Sequence, residues 1–68
     1  MKIVISFRDG KKLAFDQSTV KGFKSTDRLL YVLTNDSQNL YMYNMSTIDS
    51  VKLSVTRGSV SDYILKDL

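Results

Sequence analysis

The first half of this chain is written twice. Counting forward by 28, Phe15–Lys24 returns as Tyr43–Lys52, and upstream Val4-Ile5-Ser6 falls on Val32-Leu33-Thr34 without a gap. Tandem copies share a backbone environment, so each position of one predicts its counterpart, and differences between them mark what was changed on a common scaffold. The reading is one small domain of two β-β-β repeats, residues 1–28 and 29–56, followed by a tail over 57–68.

Within the first copy, Ile3, Ile5 and Phe7 alternate with Lys2, Val4 and Ser6, the two-residue period of a half-buried strand. Leu13 and Phe15 continue the pattern after Arg8-Asp9-Gly10. Parity sets the loop length: a two-residue turn would put the two apolar sets on opposite faces, whereas a three-residue loop pairs Ile5 with Leu13 and Ile3 with Phe15. That loop requires Gly10 in the left-handed position of a G1 bulge. Asp16-Gln17-Ser18-Thr19 and its copy Asn44-Met45-Ser46-Thr47 read as side-chain-capped turns, each followed by a core plug, Val20 or Ile48. A third strand follows near residues 21–25. In the second copy, strands are predicted over 29–34 and 40–44 around a polar loop at 35–39, and Val51, Leu53 and Val55 mark the sixth. The fold class is therefore all-β: a six-stranded antiparallel meander, forming a small barrel or a two-layer sheet. In the tail, Ser59-Val60-Ser61-Asp62 resembles a capping box, and Val60, Ile64 and Leu68 share a helical stripe with Tyr63 beside it. A short C-terminal helix is expected, with a seventh strand through Arg57-Gly58 as the competing reading.

Transferring faces by 28 places Tyr31, Leu33, Tyr41 and Tyr43 in the core, with Tyr31 and Tyr43 as cross-strand partners. The outward set Lys2, Val4, Lys12 and Ala14 becomes Leu30, Val32, Leu40 and Met42. A hairpin expected to be wet on one side is apolar on both, and a contiguous apolar patch marks a contact. The tail can fold over part of it, and Leu30, Val32, Leu40 and Met42 can form a protein interface, most simply with another copy of the chain as a homodimer; the two are not exclusive.

Composition narrows the chemistry. The 68 residues are 43% hydrophobic, with no Cys and no His. Disulfides, zinc sites, thiol nucleophiles and imidazole acid–base catalysis are thereby excluded. The three glycines stand apart, so no phosphate loop is present, and Asp at turns has backbone reasons to be there. A chain this short also leaves little room for a pocket of about 300 Å³. No catalysis and no cofactor are expected. The net charge of +3 is concentrated early, on Lys2, Arg8, Lys11, Lys12, Lys21, Lys24 and Arg28. Such a set can track phosphates, so nucleic-acid binding is the alternative function. Against it, Phe7, Phe15 and Phe23 map inward, and lysines on strands also serve to protect edges. No apolar run approaches the ~20 residues of a membrane span. The expectation is a cytoplasmic, non-enzymatic binding protein with no membrane partner, of a size that suits a bacterial or phage accessory protein.

Overall fold

Alternation in the sequence becomes six strands: β1 (Lys2–Phe7), β2 (Lys12–Phe15), β3 (Val20–Ser25), β4 (Leu29–Thr34), β5 (Leu40–Asn44) and β6 (Ile48–Ser54). The computed structural model describes residues 1–36 and 38–66. The strands form two antiparallel three-stranded sheets, ordered β2-β1-β6 and β3-β4-β5. The protein is mainly β, and its helical content among the described residues is two 3-10 turns, Met45–Thr47 and Val60–Tyr63. Among the described residues no helix is long and apolar enough to cross a membrane.

The first hairpin has the register that parity requires. Ile3 faces Phe15, Ile5 faces Leu13, and Ser6 faces Lys12. Gly10 closes the three-residue loop with φ of 93° and donates its amide to the Phe7 carbonyl at 3.0 Å. A side chain is strained in that conformation, which is why glycine stands there.

The two junctions between sheets are built alike. Thr19 turns its hydroxyl back to the Asp16 carbonyl at 2.7 Å, and Thr47 does the same to Asn44 at 2.7 Å. The Asn44 side chain also accepts the Ser46 amide at 3.0 Å. Val20 and Ile48 follow as buried plugs. Directly after each, the ladder slips by one: Lys21 is the extra residue in β3 against β4, and Asp49 in β6 against β1. These bulges re-aim the strands so that alternation resumes with Phe23 and Val51 toward the interior.

Ile3 and Ile5 from one sheet meet Phe23, Leu30 and Val32 from the other, together with Met1, Val20 and Ile48. One core thus lies between the two sheets. Each fully buried aliphatic side chain there stabilises the fold by about 1.5–3 kcal/mol.

The second hairpin departs from the transferred register. Leu30 pairs with Tyr43 and Val32 with Tyr41, while Tyr31 faces Met42 and Leu33 faces Leu40. Leu30 and Val32, expected outside, are 2% and 0% exposed in the core. Tyr31 and Leu33, expected in the core, lie on the outer face. Tyr31 and Tyr43 are not partners. The reason is the connection: Thr34 pairs with Asn39, so four positions separate the paired ends rather than the five expected over 35–39. That is one residue more than the loop of the first hairpin, so β4 matches β1 at a spacing of 27 while β5 matches β2 at 28. A one-residue slip inverts every side chain of a strand. Leu13 and Tyr41 do point inward, but on the outermost strands of their sheets they remain exposed.

The tail combines elements of both expectations. Its helix is the single 3-10 turn Val60–Tyr63, where Asp62 accepts the Ser59 amide at 2.9 Å. Val60 and Tyr63 pack against the core. The chain then runs parallel to β3: Ile64 bridges Phe23, and Leu65 donates its amide to the Phe23 carbonyl at 2.7 Å. The expected stripe over the second hairpin does not form, since Ile64 lies at the β3 edge and is exposed. Leu68 lies outside the described residues.

Candidate functional site

The outer faces of the two sheets differ in kind. Opposed residues share a face, so the outside of β2-β1-β6 carries Lys2, Val4, Ser6, Lys12, Ala14 and Lys52. The outside of β3-β4-β5 carries Tyr31, Leu33, Leu40 and Met42, with Gly22 and Lys24 on β3. The apolar outer surface inferred for the second hairpin is therefore present, but with a changed membership. Leu40 and Met42 stay in it, while Leu30 and Val32 are replaced by Tyr31 and Leu33. Leu40 is 39% exposed and Met42 59%. Toward β3 the surface is covered by the tail: a Cβ on Gly22 would sit 2.6 Å from the Tyr63 carbonyl and 2.7 Å from Leu65. Among the described residues the tail therefore covers the β3 side and leaves β5 open.

β5 is the edge of its sheet, and hydrogen bonding to β4 fixes which of its groups are free. Thr34 N–H donates to the Asn39 carbonyl at 3.1 Å, and Met45 N–H to the Arg28 carbonyl at 2.8 Å. Counting between these pairs, Tyr41 and Tyr43 turn their amides and carbonyls toward β4. Leu40, Met42 and Asn44 turn theirs away from the sheet. The Asn44 carbonyl is taken locally by the Thr47 hydroxyl. On the inward side, Tyr41 and Tyr43 pack against Phe15 at centroid distances of 5.4 and 6.4 Å, and Phe7 meets Tyr43 at 5.9 Å. Burial, followed by the proximity of Tyr41, holds the Tyr43 phenol above the usual tyrosine range.

The basic residues of the first half are not brought together. Lys2 and Lys12 share the outer face of β2-β1-β6, where Lys52 joins them, but Lys24 lies on the other sheet and Lys21 at its bulge. Arg8 sits in the first hairpin loop and Lys11 just after it, with Arg8 donating from Nε to the Ile48 carbonyl at 3.3 Å and Lys11 4.0 Å from Asp9. Arg28 is in the turn before β4. Phe7, Phe15 and Phe23 pack on the core as expected.

Hollows of the size judged too large for so short a chain do occur. One of about 530 Å³ lies between Asp27, Arg28, Leu29, Asn44, Met45 and Ser46. Another of about 280 Å³ opens between β3 and β6, walled by Phe23, Leu30, Met45, Ile48, Val51 and Leu53. The second forms where β3 and β6, which belong to different sheets, are not hydrogen-bonded to each other. No family model matches the chain, and neither a curated protein nor a solved structure matches it.

Proposed function

We propose that this protein is a non-enzymatic interaction module that self-associates, most simply as a homodimer, through the outer surface of β4 and β5. The observation that supports it is the pair Leu40 and Met42, standing exposed beside Tyr31 and Leu33 on a sheet face with no carboxylate among these four residues. Water-exposed apolar neighbours of this kind gain free energy when a partner removes them from solvent. A second copy is the simplest partner because it brings a matching surface. Sedimentation or light scattering across a concentration series tests the reading. A dimer mass is expected, shifting to monomer in Leu40→Lys with the circular dichroism unchanged. A wild type that stays monomeric at high concentration removes it.

A further inference from the structure

Each three-stranded sheet has two edges, and three of the four are guarded. β3 is covered by the tail, which bridges Phe23 and lies against Gly22. β6 is interrupted by the bulge at Asp49 and carries Lys52. β2 is four residues long and begins at Lys12. Short length, charge, bulges and covering segments are the devices by which sheets avoid pairing edge to edge. Among the described residues β5 has none of them. Its sequence, Leu40-Tyr41-Met42-Tyr43-Asn44, is uncharged, its register against β4 is unbroken, and Leu40, Tyr41 and Met42 are all exposed.

We infer that two copies join through their β5 edges, antiparallel about a twofold axis at Met42, to make one continuous six-stranded sheet. This rests on the self-association proposed above but places the contact at the β5 edge of that surface, where Leu40 and Met42 meet the second copy while Tyr31 and Leu33 stay on the outer face. A twofold interface sets the strand against its own sequence, so any charge on it would enter the junction twice with the same sign. β5 satisfies that condition. Ladder parity requires outward-turned residues to pair with one another, and centring the axis on Met42 is the register of that kind that overlaps all of Leu40–Asn44. Met42 then pairs with Met42 of the second copy and Leu40 with Asn44, while Tyr41 faces Tyr43 on the inward side. The apolar outer surface, with Leu33, Tyr31, Leu40 and Met42, becomes continuous across the junction.

The chain has no cysteine, so a single introduced thiol reports cleanly. In a hydrogen-bonded antiparallel pair the Cα atoms lie about 5.5 Å apart, within the range a disulfide spans. Met42→Cys should therefore cross-link under mild oxidation. Leu33→Cys should not, because the two β4 strands would be about 14 Å apart, three strand spacings. In the wild type, the Leu40 and Met42 amides should exchange slowly with solvent and lose that protection on dilution to monomer. A dimer whose Leu40 and Met42 amides exchange freely, or one that cross-links at Leu33, overturns edge pairing and leaves self-association standing as a face-to-face contact. A monomeric mass overturns both.

Discussion

Replacing Leu30 and Leu40 by alanine, one at a time, tests the register of the second hairpin with the same chemical change at two sites. Leu30 is almost wholly enclosed, whereas Leu40 sits on the open face of an edge strand. Leu→Ala removes three carbons, roughly 2.4 kcal/mol at about 0.8 kcal/mol for each buried methylene. In the core a residual cavity adds to this, giving the 2–5 kcal/mol range seen for buried leucines, and we take about 3 kcal/mol for Leu30→Ala. At Leu40 no cavity forms, because solvent replaces the lost atoms, and about 1 kcal/mol is expected. A domain of this size is stable by about 3–10 kcal/mol. Leu30→Ala should then lower the melting temperature by about 12–24 °C, at roughly 4–8 °C per kcal/mol. Urea unfolding at concentrations low enough that the midpoint no longer depends on concentration gives both values, provided the slope is unchanged. A uniform 28-residue register puts both leucines outside and predicts equal, small losses. That result would refute the inward placement of Leu30.

Gly22→Ala should detach the tail, since its methyl would meet a backbone carbonyl that cannot swing aside. We expect a loss of about 1–3 kcal/mol and faster exchange of the Leu65 amide; unchanged protection there would contradict the packing. The raised Tyr43 pKa means that the neutral phenol is the form the folded state favours. Its contribution is complete below the ordinary tyrosine range and is lost as pH rises from there through the folded value. Tyr43→Phe should flatten this alkaline loss, and an identical pH profile would show that another group is responsible. A gel shift with single-stranded oligonucleotide at low salt should be silent, because the basic residues lie on both sheets and in loops. A band that weakens steeply with salt and with Lys12→Glu would restore nucleic-acid binding as a function.

Where one face of a strand is apolar and the other polar, the sequence determines the register, as in the first hairpin. There, Lys12 opposite Ser6 admits only the three-residue loop. In the second hairpin both faces of Leu29–Thr34 and Leu40–Asn44 are apolar, so alternation carries no information about which set is buried. The gapless 28-residue match then decided the face wrongly, because the extra loop residue lies among polar residues that align equally well either way. The junction turns were legible because Asp16–Thr19 and Asn44–Thr47 use side chains to bond their own backbone. The bulges at Lys21 and Asp49 were not, since a slip depends on the neighbouring strand. Of the candidate surface, Leu40 and Met42 were readable from sequence; Tyr31 and Leu33 required the pairing. Which edges are guarded is a property of sheet order and could not be read from the chain.

The pairing of β1 with β6 has a consequence for assembly. In β3-β4-β5 each strand bonds its neighbour in the chain, whereas β6 must return to the first strand, bringing Ser54 beside Lys2. Closing so long a loop is entropically costly and slow, whereas adjacent strands meet quickly. During refolding the later sheet should therefore zip first, holding Leu30 and Val32 against a layer that is still incomplete. Pulse-labelled amide exchange would show this as early protection in β4 followed by β6, and the reverse order would contradict it. The last strand thus works as a latch: until it lands, the interior is half a sandwich.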